Sequence, residues 1–255
     1  MNALVSVIMP SFNTAKYIAE TIDSVLAQTY QNWELIIVDD CSTDNTDEVV
    51  GKYLTDTRIK YLKNEQNSGA AASRNKALRE AKGKWIAFLD SDDFWEPEKL
   101  QKQIGFMEET GHKFTYTDYK LINENGDYLP YVITAPKKIT KRKLYNYCYV
   151  GIITVMYDSD AIGLIQIAEV EKNNDYAMWF QAIEKTAFYH LPESLSIHRR
   201  RTNSLTSGSK LKLIKHHYLL FRKVLKKSSF VSVVLTVNNL FFGLLKKLFY
   251  RKRLK

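Results

Sequence analysis

Three carboxylates, Asp90, Asp92 and Asp93, stand directly after an apolar run from Trp85 to Leu89. Gathered at the exit of a buried strand they repel one another, and a divalent cation would supply the compensating charge. Oxygen-only donors suit Mg2+ or Mn2+, which one or two carboxylates commonly hold while the phosphates of a substrate complete the shell. The same residues would also make a solvated acidic turn capping a helix that starts near Pro97. A second acidic turn, Asp39-Asp-Cys-Ser-Thr-Asp44, follows the apolar run Leu35 to Val38. A lone carboxylate, Asp175, opens a stretch with helical periodicity through Tyr176, Trp179, Phe180 and Ile183; its plain alternative is a helix cap or dipole partner.

These carboxylates need elements to hold them, and the pattern of the first half supplies them. Val5 to Met9, Leu35 to Val38 and Trp85 to Leu89 are apolar runs, as in buried strands, and Ile59 to Leu62 is a further short strand. Between them, residues 15–28, 46–53 and 70–81 have helical patterning, with Pro10-Ser-Phe-Asn13, Asn67-Ser-Gly69 and Gly83 as punctuation. Alternating strands and helices predict a mostly parallel sheet with its ligands beyond the carboxyl ends of the strands, which places Asp40 and Asp92 on one edge. Further on, the spacing predicts a helix over 97–109, a strand over 113–123, a hairpin turn at 124–127, a strand over 150–157 and a helix over 175–185.

The 255 residues carry a formal charge of +9, which is unevenly spread. Residues 199–255 hold 16 Lys and Arg and no acid, so the other 21 basic and 28 acidic residues leave the first part at −7. Opposite signs imply two jobs. Cys41 and Cys148 are too few for a disulfide framework or a zinc site and fit a reducing cytosol. The first ten residues lack the basic start and long apolar stretch of a signal peptide.

Five ordered stretches, Val5-Ser-Val-Ile-Met-Pro-Ser-Phe-Asn13, Val38-Asp-Asp-Cys-Ser-Thr-Asp44, Asn67-Ser-Gly-Ala-Ala-Ala-Ser-Arg-Asn75, Phe88-Leu-Asp-Ser-Asp-Asp93 and Asn174-Asp-Tyr-Ala-Met-Trp179, resemble the motifs of bacterial family-two, GT-A-fold inverting glycosyltransferases. They cover most of residues 4–206, and the stretches 116–126 and 151–158 are similar to the subgroup for teichuronic acid, capsule or lipopolysaccharide assembly. The resemblance implies an α/β GT-A fold, Rossmann-like with a mostly parallel mixed sheet, over residues 1–208. It implies transfer of a sugar from a nucleotide-sugar donor, a UDP-sugar, to a saccharide or lipid-linked acceptor. By the same resemblance Asp40 accepts a hydrogen bond from uracil with Asp39 beside it, Pro10, Phe12 and Asn13 line the nucleotide, and Arg74 touches base or phosphate. Asp90 and Ser91 belong to the nucleotide site, Asp92 ligates Mn2+ or Mg2+, Asp175 is the general base, and Trp179 and Thr154 lie toward the acceptor.

Two positions depart from the family pattern. Asn174 stands where an acid commonly precedes the base, which leaves Asp175 alone for proton transfer. An exposed Asp at a helix start has a depressed pKa, so the acceptor and Trp179 are expected to desolvate it on binding. In Ile197-His-Arg-Arg-Arg-Thr-Asn-Ser-Leu-Thr206, Arg199 keeps its place and Arg201 replaces a frequent His in the loop that closes over the diphosphate; aligned on Asn203 and Ser204, both are expected to face phosphate. His198 has no evident partner, and a surface or packing role is expected for it.

Residues 209–255 change character. Lys210 to Lys227 mixes Leu, Ile and Phe with basic residues, and Ser228 to Leu245 has no charge. Ser229, Ser232, Thr236, Asn239, Gly243 and Lys246 draw one polar stripe along a helix whose other faces are apolar, with Asn238 beside Asn239 making a lipid-buried span costly. The pattern predicts a helix in the membrane interface, with Lys246, Lys247, Arg251, Lys252, Arg253 and Lys255 facing anionic headgroups, peripheral to the inner face of the cell membrane. The alternative is that Phe241 and Leu245 pack on the catalytic domain or on a second copy in a homo-oligomer. The acidic half argues against a nucleic-acid partner, and Pro10 to Thr14 has no glycine-rich diphosphate loop, which disfavours a nicotinamide oxidoreductase and a sugar nucleotidyltransferase.

Overall fold

A computed structural model describes residues 3–167, 173–201 and 210–253, with side chains from 214 onward in the last segment. The chain begins β1 (Val5–Ser11), α1 (Ile18–Leu26), β2 (Trp33–Asp39), α2 (Thr46–Gly51), β3 (Ile59–Lys63), α3 (Gly69–Glu80) and β4 (Trp85–Phe88). It continues through β5 (Phe94–Trp95), α4 (Lys99–Thr110), β6 (Phe114–Ile122), β7 (Tyr128–Ile133), β8 (Lys138–Ile139), α5 (Lys141–Asn146) and β9 (Met156–Asp158). The remainder is α6 (Ser159–Ile162), α7 (Asn174–Ala182), β10 (Phe188–Arg199), α8 (Lys210–Leu219), α9 (Ser229–Phe249) and β11 (Arg251–Arg253).

The strands lie in the order β11-β7-β6-β9-β4-β1-β2-β3, with β10 pairing β5, β6 and β8. β3, β2, β1 and β4 run parallel, and β9 is antiparallel to both β4 and β6. Every residue of β1 and β4 is buried, as expected of strands covered on both faces. The chain winds from β1 outward to β3 and then returns to β4 on the other side of β1. That reversal splays the loops after β1 and β4 apart and opens the crevice where ligands bind in such sheets.

Three differences from the sequence expectation have local causes. Residues 150–157, expected as one strand, break into a 3-10 turn at Ile152–Thr154 before β9, because the Thr154 hydroxyl donates to Gly151 O at 2.6 Å and tightens the chain. β10 carries no simple alternation: Pro192 and Glu193 interrupt it, and the pairing with β6 shifts register between Leu191 and Ser194. Ile197 to Arg199 are therefore strand rather than loop. Finally, the C-terminal segment is bonded to the main sheet. β11 pairs β7, and Leu220 and Phe221 join the common core.

α9 is inside out relative to an ordinary surface helix. Its polar stripe, Ser232, Thr236 and Asn239, is buried, whereas Phe230 is 79% and Leu248 72% exposed, with Val237, Phe241 and Leu244 exposed between them. Of the two residues offered for packing on the rest of the chain, Phe241 is exposed and Leu245 half-buried. The apolar side of this helix, long and apolar enough to cross a membrane, faces outward.

Candidate active site

The ends of β1, β2 and β4 and the start of α3 meet at one edge of the sheet. Asp40 follows β2 and is held to the end of β1 by its N–H, which donates to Ser11 O at 2.8 Å. Its carboxylate is buried and accepts from Asn64 Nδ2 at 2.7 Å, Ser68 N at 2.8 Å and Gly69 N at 2.7 Å. The last two donors are orphan amides at the start of α3, and a carboxylate there gains from both hydrogen bonding and the helix dipole. Gly69 has φ +83°, a conformation that favours glycine and that lets the chain turn its amide onto Asp40. The neighbouring Asp39 spends both oxygens on Ser42, through the backbone N–H at 2.9 Å and the hydroxyl. It shapes the turn, a use the resemblance does not imply.

The β1–α1 loop is tied to the same turn. Asn13, at φ 51°, donates N–H to Ser42 Oγ and accepts from Thr43 N, both at 2.8 Å. Pro10 lies buried in β1, while Phe12 stays 46% exposed at the edge. Ser91 is buried, with its carbonyl taken by Thr21 Oγ1 at 3.0 Å.

The three carboxylates after β4 each have a cationic partner from the protein. Arg74, buried on α3, donates to Asp90 at 2.5 Å, Arg201 Nη1 to Asp92 at 3.0 Å, and His198 Nδ1 lies 2.9 Å from Asp93. Their mutual repulsion is thus answered by side chains in addition to any divalent cation. Asp93 is fully buried and also accepts the Arg199 N–H at 2.7 Å. Burial pushes its carboxyl above the ordinary value despite the opposing pull of His198. For His198, desolvation disfavours the charge, but the Asp93 carboxylate outweighs it and raises the imidazole above its ordinary value. His198 is therefore a charged strut beneath the acidic turn and not the partnerless histidine expected.

Arg199 is likewise committed. Its Nε donates to Asp92 O at 3.0 Å, its Nη2 to Glu20, and its guanidinium lies 4.9 Å over the Tyr17 ring. Buried at the end of β10, it clamps the turn and does not face a diphosphate, so the phosphate-facing expectation remains only for Arg201. The loop positions Asn203 and Ser204 lie outside the described residues. His198→Ala is expected to leave Asp93 buried with a single backbone donor and to cost about 1–3 kcal/mol, read as a Tm lower by several degrees in thermal unfolding. An unchanged Tm would remove the strut role.

Asp175 sits in the first turn of α7, with Tyr176 N–H donating to its Oδ1 at 2.8 Å. It is half-buried, and desolvation raises its pKa; Tyr176 N–H and the Arg74 charge pull the other way, while Asp90 adds to the rise. The side chain therefore feels the charges of both members of the Arg74–Asp90 pair. Two assignments on the acceptor side fail. Trp179 is fully buried among Phe88, Phe114 and Phe188, and Thr154 is buried with its hydroxyl spent on Gly151 O. Trp179 thus cannot desolvate Asp175 upon acceptor binding; the protein already does so.

A divalent ion fits the donors present in one way. Asp90 is spent on buried Arg74 and the buried Asp93 on His198, whereas the partly exposed Asp92 is held, among the described residues, by partly exposed Arg201. Among the described residues no group of three or more His, Cys, Asp or Glu is arranged as a complete metal site. A hard cation there would need Asp92 plus phosphate oxygens, the usual manner for Mg2+ or Mn2+.

The profile of Glycosyl transferase family 2 matches residues 6–169. TuaG of Bacillus subtilis (strain 168), whose name assigns it provisionally to teichuronic acid biosynthesis as a glycosyltransferase, is 42% identical over 224 residues, 87% of this chain and 88% of that protein. WfgD of Escherichia coli, named as a UDP-Glc:alpha-D-GlcNAc-diphosphoundecaprenol beta-1,3-glucosyltransferase, is 45% identical over 181 residues, 71% of this chain and 70% of its own. In structure, Staphylococcus aureus TarS 1-349 with UDP-GlcNAc superposes with a TM-score of 0.72 at 24% identity, covering 92% of this chain and 71% of TarS 1-349. The mannosyltransferase PcManGT of Pyrobaculum calidifontis, solved with GDP-Man and Mn2+, gives 0.66 at 17% identity over 92% of this chain and 68% of its own. Both likenesses bear on the fold.

Proposed function

The chain belongs to glycosyl transferase family 2 and is a glycosyltransferase, and we propose that it moves a sugar, with inversion, from a UDP-sugar to a lipid-linked saccharide in cell-surface polysaccharide assembly. The observation that carries this reading is the gathering of Asp40, Arg74, Asp90, Asp92 and the desolvated Asp175 around the start of α3 and the exit of β4. The names of WfgD and TuaG supply the acceptor class and the pathway type.

The Asp40 carboxylate has about four lone-pair sites, of which three are occupied by Asn64, Ser68 and Gly69. The remaining one, on Oδ2, suits the uracil N3–H, and the exposed ring of Phe12 offers a stacking face for the base. Asp92 would hold Mn2+ or Mg2+ against the diphosphate, and that ion, when bound, neutralises charge developing on the leaving nucleotide. Arg201 can follow the phosphates as a second cation. On the opposite side of the sugar, Asp175 takes the proton of the acceptor hydroxyl. The acceptor oxygen bonds to the anomeric carbon as the bond to the phosphate oxygen breaks, and its electron pair leaves with UDP. Incubating the protein with individual UDP-sugars, Mn2+ and a polyprenyl diphosphate saccharide tests this. Free UDP and an extended lipid are expected; pyrophosphate release, or no product from any UDP-sugar, would overturn it.

The acceptor class calls for a membrane-facing surface, and the outer side of α9 supplies one. Its exposed Phe230, Val237, Phe241 and Leu248 lie between Lys226 and Lys227 at one end and Lys246, Lys247, Arg251, Lys252 and Arg253 at the other, a pattern suited to anionic headgroups. Both cysteines are unpaired, in keeping with the cytoplasmic side. Phe241→Glu with Leu248→Glu is expected to weaken sedimentation with phosphatidylglycerol-containing vesicles at least about tenfold, since each side chain is worth about 1.5–3 kcal/mol on burial. Unchanged co-sedimentation, or a dimer in solution that these changes split, would replace the membrane with a second copy. Point changes serve better than truncation, which would also strip β11 from the sheet.

A further inference from the structure

The inner side of α9 reaches the helix that carries Asp175. Asn239, 1% exposed, lies 3.1 Å through Nδ2 from Tyr176 Oη, and the Tyr176 hydroxyl is bonded to Leu144 O. Because a carbonyl only accepts, the tyrosine proton goes to Leu144, and its oxygen must accept from the Asn239 amide. The amide orientation is therefore fixed, and its Oδ1 is left buried without a partner among the described residues. An apolar side chain of the same size would avoid that cost. Two further contacts seat α9 at this place: Asn238 Nδ2 donates to Asn146 at 2.9 Å, and Gly243 lies so close to the Tyr147 ring that a Cβ would come within 3.0 Å of it.

Tyr176 is the residue whose backbone N–H donates to Asp175 Oδ1. We propose that Asn239 is a positioning residue for the general base: by fixing Tyr176 it fixes the first turn of α7, and so the Asp175 carboxylate. The proposal rests on Asp175 being that base. Among the described residues, the charged or titratable groups that act on Asp175 are Arg74 on α3, Asp90 after β4 and Cys148 after α5. Asn239 touches none of them directly, so its effect has to pass through Tyr176.

The test uses the full-length protein with a UDP-sugar donor and a polyprenyl diphosphate saccharide. Asn239→Leu keeps the size and removes the donor; it is expected to lower kcat about tenfold, in line with the cost of sub-ångström misplacement of a reacting group. The KM for the UDP-sugar and the Kd for UDP should stay within about twofold of the parent, while the acid limb of kcat against pH moves. Tyr176→Phe should give the same pair of effects, and the double variant should lose no more than either single one. A kcat and acid limb that stay put while Tm falls would reduce Asn239 to a packing residue and overturn the proposal. If Asn239→Leu does not fold, Tyr176→Phe alone decides by the same readouts. Full turnover by Asp175→Asn would instead refute the base assignment and leave the Asn239–Tyr176 contact a matter of stability.

Discussion

Asp175→Asn is expected to lower kcat by about two to four orders of magnitude, the usual share of a general base, while the Kd for UDP-sugar stays within about twofold. The substitution keeps shape and removes only the capacity to take a proton. Asn174 offers no second carboxylate at the adjacent position, and Asp90 is engaged by Arg74. The pH profile carries a second signature. Desolvation raises the Asp175 pKa, so the acid limb of kcat should fall above the ordinary carboxylate range, with activity lost as pH drops through that value. The folded protein also holds this proton more tightly than the unfolded chain. Stability therefore falls as pH rises from the unfolded to the folded pKa, and Asp175→Asn should be neutral or slightly stabilising at neutral pH. Lost turnover with an unchanged or higher Tm separates chemistry from unfolding; retained turnover removes Asp175 from the base role.

What could be read from the chain, and what could not, divides along local against long-range determinants. β1, β2 and β4 were legible because a strand buried on both faces writes itself as an apolar run, and acidic turns announced the exits of β2 and β4. Topology then brought Asp40, Arg74, Asp90 and Asp92 to one edge, since parallel strands end on the same side. Trp179 was misplaced because one α7 helix turn holds both a buried ring and a half-buried carboxylate, and sequence proximity to Asp175 does not tell which way a ring points. Arg199 and His198 were misjudged because their partners, Glu20, Asp92 and Asp93, are about a hundred or more residues away. α9 shows the limit most sharply. Periodicity established two faces, but which face meets protein depends on what the partner offers, and here Tyr176 and Asn146 offer hydrogen bonds.

Asp92→Ala is the second large expected effect, and Arg201 makes it informative. The Asp92–Arg201 pair is half-exposed, so it is worth about 1 kcal/mol or less, whereas removing a group that stabilises developing charge on a leaving group costs about 10²–10³ in rate. The ion pair is therefore cheap to exchange, and a divalent ion arriving with a diphosphate can displace Arg201 toward the phosphates. On this account Asp92→Ala should lower transfer by at least about 10²-fold and abolish the protein-dependent loss of the free Mn2+ spectrum expected in electron paramagnetic resonance titrations with UDP. Chelation by EDTA should reproduce the first effect in the parent. Arg201→Gln should act in the opposite sense on the metal and in the same sense on the reaction. With the competing cation gone, Mn2+ should bind the donor-free protein more tightly, yet transfer should fall because the phosphates lose a cationic donor. Equal Mn2+ affinity in the parent and in Asp92→Ala would show that the ion is held elsewhere, and the exchange between arginine and metal would fall with it.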